Sequence, residues 1–474
     1  MKKTSPPNSL RVALINPTLP PQSVFEQLGR SDLPPLGLLY LAAALEREGH
    51  VVRVYDLNLD SHRAGIVDDV AAWSPDLVGL STMAPAFDTT NDLAHTMRQR
   101  LGDAVKIVAG GADATIRPGA YLDHGGFDAV FVGEAEETLV TACRQWPDFS
   151  AAVGIATKDE SVAVHPRKID PDSAPFPARH LLPLKEYRGG PAYKRRRFST
   201  GIFTHRGCPY ECRFCEKAVH DGPIRFRSAE SILEEVRRIR RDHDIHDLRF
   251  IDDVLMCNRV VLRRFIALIR ESDERFDWLC TGRVDLMEES LLREMKSAGC
   301  YRIEIGVESG DDEVLAAMDK KLSTRQALEA VATARRVGVE IVANFILGLP
   351  GESRPAMRRT LDFAVRLDVD FAIFFMFTPF QGAEISRCHN LKFDPSYPGC
   401  RAPSPAYKVP TSEVTALIDE GYGRVYFRAG YIWRRLMAIR SGWIILDLAR
   451  MALSHLWHRL FARGGRTATY RTGG

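Results

Sequence analysis

The sequence predicts an α/β protein in two parts, a doubly wound parallel sheet over residues 1–145 and a partial (β/α)6 barrel over residues 196–385. A linker (146–195) joins them and a helical region (386–474) follows. Three observations lead there. Short apolar runs alternate with amphipathic stretches from Val12 onward, as strand–helix repeats do. The alternation breaks across a proline-bearing stretch, PDSAPFPARHLLPL, and then resumes. At about 100–200 residues per domain, a chain of 474 holds two to four such units.

In the first part the expected strands are Val12–Ile15, Val51–Tyr55, Leu77–Leu80, Lys106–Ala109 and Ala129–Val132. The clearest helix between them is LGLLYLAAALEREG (Leu36–Gly49), which closes on a glycine. Parallel strands need such crossovers, and ligands of doubly wound sheets bind beyond the strand carboxyl ends. The loops there are NPTLPP, STMAP, GGADAT and GEAEET. Ser81, Thr82, Gly110 and Gly111 would let a large ligand approach the backbone, although paired glycines also make plain tight turns. No GxGxxG follows the first strand, whose loop holds Pro17 and Pro20, so a dinucleotide site is disfavoured. Within the linker, one extended strand is expected at Val162–His165.

The second part repeats strand then helix six times, with strands at Phe198–Thr204, Leu248–Asp252, Asp277–Thr281, Arg302–Val307, Glu340–Leu347 and Phe371–Phe377. Its helices include Ala229–Arg241, capped by Ser228, and Thr324–Val337. Functional groups of such barrels gather at the strand carboxyl ends.

Hydrophobic residues make up 45% and charged residues 26%, ample for globular cores. The net charge of +3 argues against a broad nucleic-acid grip. No apolar segment reads as a signal peptide or a membrane span, and the expected compartment is the cytoplasm. Nine cysteines, three of them within eight residues, suggest metal or redox chemistry instead of disulfides.

Those three stand in FSTGIFTHRGCPYECRFCEKAVHDGPIRFRS, where Cys208, Cys212 and Cys215 form a CxxxCxxC arrangement with Phe214 before the last. Three thiolates in one loop can hold three irons of a 4Fe–4S cluster and leave the fourth open to bind and reduce a ligand. The alternative is structural zinc, which takes four ligands in two pairs. His205 could be a fourth ligand, but no distant second pair is present.

With these segments in view, the chain resembles the cobalamin-binding radical S-adenosylmethionine (SAM) enzymes over about residues 10–385. DLPPLGLLYLAAALEREGH, GGADATIRP and VFVGEAEET are similar to the Rossmann-like cobalamin-binding domain of that family. ARHLLPLKEY, FIDDVLM, IEIGVESG and NFILGLPGES match the shared pattern in order. The resemblance implies three cofactors: a 4Fe–4S cluster, SAM and cobalamin. It makes Cys208, Cys212 and Cys215 the cluster ligands, with SAM chelating the open iron, and sets Phe214 beside the cluster or the adenine.

Asp252 and Asp253 would accept hydrogen bonds from the SAM ammonium or the substrate, helix capping being their other use. Arg283 and Glu308 would meet the SAM carboxylate and ribose, or form internal salt bridges. Ile346 and Gly348 would lie along the adenine. Ser81, Thr82, Gly110, Gly111, Gly133 and Glu134 would line the cobalamin site. No Asp-x-His-x-x-Gly follows Ile15, so cobalt should lack a histidine on its lower face.

The implied activity is methylation of an unactivated carbon of a small-molecule or natural-product substrate, through a 5′-deoxyadenosyl radical and methylcobalamin. A reducing partner such as flavodoxin or ferredoxin is implied with it. The alternatives are a cobalamin-dependent cyclase or rearrangement enzyme, like the anaerobic tetrapyrrole cyclase, and a cobalamin-binding regulator without catalysis. Neither substrate identity nor a catalytic acid or base is legible.

The C-terminal region falls outside the resemblance. Residues 424–474 hold ten arginines, no lysine and one acid, Asp447, giving +9 and leaving −6 on the rest. The segment reads as two amphipathic helices broken near Ser441–Gly442, with Trp433, Trp443 and Trp457 among Leu and Ile. A helical cap on the barrel with snorkelling arginines is the preferred reading, and a peripheral membrane contact the alternative.

Overall fold

The computed structural model describes residues 9–18, 33–149, 152–158, 168–187, 189–389, 391 and 409–438. The extended strand expected at Val162–His165 lies outside them.

The first unit runs β1 (Arg11–Asn16), α1 (Leu36–Arg47), β2 (Val51–Asp56), α2 (Asp60–Arg63), α3 (Ile66–Trp73) and β3 (Leu77–Thr82). It continues with α4 (Phe87–Leu101), β4 (Lys106–Gly111), α5 (Ala112–Ile116), α6 (Pro118–Asp123), β5 (Ala129–Phe131), α7 (Glu136–Arg144) and β6 (Ile155–Ala156). The strands lie in the order β2-β1-β3-β4-β5-β6, parallel except for β6.

Such a sheet is buried on both faces, which is why its strands read as apolar runs. Val12, Leu14, Leu77, Val108 and Phe131 share a core with α1, whereas Ala13, Ile15, Val78, Leu80 and Ile107 pack with α3 and α4. The unit does not end at residue 145. Val132 N–H donates to the Gly154 carbonyl and brings β6 back as an antiparallel edge.

The second unit runs β7 (Thr200–Ile202), β8 (His205–Arg206), β9 (Arg225–Phe226), α8 (Ala229–His243), β10 (Asp247–Phe250), α9 (Arg259–Glu271) and β11 (Asp277–Gly282). Then come α10 (Glu289–Ser297), β12 (Cys300–Glu308), α11 (Asp312–Ala317), α12 (Thr324–Val337), β13 (Glu340–Leu347), α13 (Arg354–Leu367), β14 (Phe371–Met376) and α14 (Glu384–Cys388). Strands β7, β10, β11, β12, β13 and β14 pair in parallel and in chain order, the partial barrel expected. Ser228, Asn258, Ser323 and Ser353 cap the helices that follow them with side-chain hydrogen bonds.

The first barrel strand is shorter than predicted. At Thr204 the chain leaves the sheet for the β8–β9 hairpin, because Asp252 Oδ1 accepts from the Thr204 (2.6 Å) and His205 (2.9 Å) amides. The linker is also more than a spacer. Ala192 and Tyr193 share a buried cluster with Leu279, Val342, Phe371 and Ile373, and so floor the barrel. Tyr193 donates to Glu304 (3.0 Å), which also receives Arg249 and Asn344.

Beyond the barrel, α15 (Thr411–Tyr426) and α16 (Ala429–Ala438) close its last strand. The Tyr426 hydroxyl accepts from Ala372 N–H and donates to Ala372 O, and the Tyr422 hydroxyl accepts from Phe374 N–H. Two tyrosines thus satisfy an edge strand that would otherwise present bare backbone. The helix break within the described residues falls at Phe427–Arg428; the expected break at Ser441–Gly442, with Trp443 and Trp457, lies outside them.

Candidate active site

A cavity of about 210 Å3 lies between the first sheet and α1 and reaches the strand ends at Ser81, Gly111 and Gly133. Its lining is largely apolar, with Leu14, Leu38, Leu77, Val108 and Phe131 around Gly79, Gly110 and Gly111. The glycines keep it open. A Cβ on Gly79 would come 3.0 Å from Leu14 Cδ2, and one on Gly111, at φ +113°, 2.8 Å from the Thr82 carbonyl. Thr82 itself is not part of the lining. Its hydroxyl accepts from Ala114 N–H (2.9 Å) and anchors α5.

The barrel unit supplies the opposite wall through Phe203, Arg206, Val219 and His220, none of which sequence reasoning singled out. Glu134, on the cavity rim, binds this wall. It receives Arg206 Nη1 (3.1 Å), Arg225 Nη1 (2.9 Å) and the His220 ring at Nδ1 (3.0 Å), while Arg206 Nη2 reaches Glu136 (2.5 Å). Burial alone would raise the Glu134 pKa. The bonds from Arg225 and His220, with the Arg206 charge, outweigh it and hold the carboxyl well below the usual range. The only advance signal of these partners was that Arg206 and His220 flank the cysteine loop.

That loop follows β8. Gly207 (φ +93°) lets the chain pass the His220 carbonyl, where a Cβ would sit 3.1 Å away. Arg213 N–H donates to Met318 O (3.0 Å) and Arg213 O accepts from Ile385 N–H (2.9 Å), so the loop is pinned at both faces of its backbone. Burial pushes the Cys215 thiol up to about 12, helped by the Asp253 charge, and raises Cys208 too. Metal binding must therefore displace protons. His205 is buried against Asp252 and Phe226, and among the described residues no three His, Cys, Asp or Glu side chains converge on one ion. The three loop thiols do not themselves converge on one point here, and what ties them to a 4Fe–4S cluster is their number and spacing, three ligands with one iron left open, where structural zinc takes four.

Comparison with known proteins accords with both halves. The Radical SAM superfamily model matches residues 202–364, and the B12 binding domain model matches residues 29–142. An uncharacterized methyltransferase of Pyrococcus horikoshii is 28% identical over 437 residues, 88% of this chain and 93% of that one. The cytidylyl-2-hydroxyethylphosphonate methyltransferase of Streptomyces wedmorensis is 29% identical over 80% of this chain and 81% of its own. The fold matches the radical SAM methyltransferase TsrM of Kitasatospora setae at a TM-score of 0.65 and 20% identity, covering 82% of this chain and 80% of that one.

The chain belongs to the cobalamin-binding radical SAM family. It is an enzyme of that class, and its cofactors are a 4Fe–4S cluster, SAM and cobalamin. The glycine-bordered cavity suits a flat, apolar part of cobalamin, and the cysteine loop suits the cluster.

Around a radical SAM cluster loop, the predicted SAM residues separate into two sets. Asp253 is exposed and its charge acts on Cys208 and Cys215, so it faces the loop. Asp252 does not. Both of its oxygens turn inward to Thr204 and His205. Arg283 lies with Nη1 3.9 Å from Cys212 Sγ, Nη2 on Lys320 O (3.0 Å) and its guanidinium 3.7 Å above the Tyr210 ring. Glu308 is paired with Lys320 Nζ at 2.7 Å, the internal bridge that its sequence reading left open. Phe214 and Ile346 pack in one apolar cluster beside the loop. Gly348, at φ +82°, gives its amide to Glu352 (2.8 Å).

Proposed function

We propose that this radical SAM enzyme methylates an unactivated carbon of a small-molecule substrate. The observation that carries the reading is one chain segment, Gly207–His220, which holds the three cluster thiols and ends as a wall of the cobalamin cavity. When bound, the cluster supplies the electron for SAM cleavage and cobalamin supplies the methyl group. The chain's own residues position these groups and keep water out. Cys208, Cys212 and Cys215 would hold the cluster, and Asp253 would receive the SAM ammonium through a charge-assisted hydrogen bond. Ser81, Gly110, Gly111 and Gly133 would admit cobalamin.

Ile346 and Phe375 lie in register on β13 and β14. By alternation from Phe371 and Ile373, which meet Tyr193 on the floor, Phe375 faces inward, yet it is 45% exposed. An uncovered aromatic inside the barrel mouth suits a dry wall against a substrate carbon. The electron would come from a small carrier such as flavodoxin or ferredoxin.

The test uses anaerobically reconstituted protein with cobalamin, a reductant, SAM bearing a deuterated methyl group, and metabolite fractions as acceptors. We expect about four irons per chain, release of 5′-deoxyadenosine, and label on an acceptor carbon in step with it. Cys208→Ala, Cys212→Ala and Cys215→Ala should each abolish SAM cleavage. SAM cleavage with no methyl transfer to any acceptor would replace methylation by cyclisation or rearrangement. Iron retained in the triple variant would sink the cluster assignment.

A further inference from the structure

Arg283 stands just past β11, at the mouth of the barrel, and is 5% exposed. A guanidinium buried this deeply has to give its N–H groups to partners. Nε donates to Asp285 (3.0 Å), Nη2 to the Lys320 carbonyl (3.0 Å) and Nη1 to Cys212 Sγ (3.9 Å). Its flat face lies 3.7 Å from the centre of the Tyr210 ring, while Lys217 Nζ holds the Tyr210 carbonyl. The bonds to Asp285 and Lys320 fix the way the guanidinium faces. It therefore meets the cysteine loop twice, at the Tyr210 ring and at the Cys212 sulfur.

Asp285, its carboxylate partner, has a side chain 32% exposed, so solvent screens part of the charge it offers. Positive charge is left over for the sulfur. Hydrogen bonds to the sulfurs and the net charge nearby help to set the reduction potential of an iron–sulfur cluster. Gaining an electron makes a cluster more negative, so a cation and an N–H donor at a ligand sulfur favour the reduced form. A planar fork that stacks on one face and donates along its edges is a property of arginine that lysine lacks.

We propose that Arg283 serves the cluster and not the SAM carboxylate: it holds Cys212 and Tyr210 in place and eases the one-electron reduction of the cluster by the small carrier. The inference rests on Cys212 being a cluster ligand, as proposed above.

The experiment is a redox titration of the reconstituted, cobalamin-loaded full chain with titanium(III) citrate, the reduced cluster being followed by paramagnetic resonance without substrate. Arg283→Gln should shift the midpoint to a more negative potential at equal iron content. Arg283→Lys, which keeps the charge, should shift it less. A second measurement needs no variant to fold. In protein made with arginine isotopically labelled in its guanidinium nitrogens alone, the reduced cluster should show pulsed-resonance coupling to the label, and Arg283→Lys should lose it. A loaded chain whose midpoint ignores both variants, or which lacks the coupling, overturns this inference alone. So does weaker SAM binding by Arg283→Gln at an unmoved midpoint, which would give Arg283 to the SAM carboxylate. A chain that holds no iron at its three loop cysteines overturns the cluster assignment and this inference with it.

Discussion

Glu308 occupies a conformation that few side-chain-bearing residues adopt, at φ +68°. The β12–β13 register slips between Gly306 and Glu308, and the buried carboxylate turns onto Lys320. Gly306 makes room for this pair: a Cβ there would lie 2.1 Å from Glu308 Oε1 and 2.9 Å from Lys320 Nζ. Strain kept at a strand end beside a cofactor site is held by its surroundings. Removing one partner of a buried pair leaves an uncompensated charge, so Lys320→Met should cost on the order of 3–5 kcal/mol in urea unfolding. The double variant with Glu308→Gln should recover most of it. An unmoved midpoint in Lys320→Met would mean that Lys320 does not confine Glu308. In the sequence Glu308 reads as a strand-terminal acid, but Lys320 could not be matched to it. Their meeting depends on the register slip, which no residue pattern announces.

At the scale of an element, the β13–α13 turn carries a titratable brace. Glu352 Oε2 accepts from the Gly348 (2.8 Å) and Leu349 (3.0 Å) amides, and Oε1 is buried with no partner among the described residues. Burial pushes its pKa up to about 7, against those two amides, from an ordinary 4.5. A carboxyl with a raised folded-state pKa binds protons more tightly folded than unfolded. Its contribution is therefore fully present below about pH 4.5 and is lost as the pH rises through about 7. Glu352→Gln keeps the acceptor and removes the titration. Relative to that variant, the unaltered protein should lose stability with rising pH, by at most about 1.4 kcal/mol per pH unit. Equal pH profiles for the two would contradict the brace.

The parallel strands around this turn were legible because burial on both faces writes them as apolar runs. The pieces missed were the short ones, β6 and the β8–β9 hairpin, at two residues per strand. Periodicity cannot register two residues, and both pieces rest on distant partners, Val132 with Gly154 and Asp252 with Thr204.

For the whole molecule, the deciding contact is the one between the two units. The sequence marked Glu134 as a strand-end loop residue and the cysteine loop as a separate feature; nothing local joined them. In the fold, Glu134 gathers Arg206, Arg225 and His220 across the interface and lines the same cavity that His220 closes. Two cofactors that must act on one substrate need their domains held in a single arrangement, and a buried charge network is strict about geometry. Glu134→Gln would leave Arg225 and part of Arg206 without a counter-charge, at a cost on the order of 3 kcal/mol. The loss should fall on the interface, since no apolar cluster includes Glu134, while one cluster, with Leu36 and Phe131 beside Leu248 and Trp278, runs through both units. Calorimetry should then show a lowered and broadened transition, with the shared apolar cluster still joining the two units. Cobalamin should wash out of the variant on desalting, while iron bound at Cys208, Cys212 and Cys215 stays. If the variant melts as the unaltered protein does and keeps its cobalamin, the domains are aligned by their apolar contacts, such as Leu33 and Leu36 against Gly201, and the charge network follows that alignment instead of setting it.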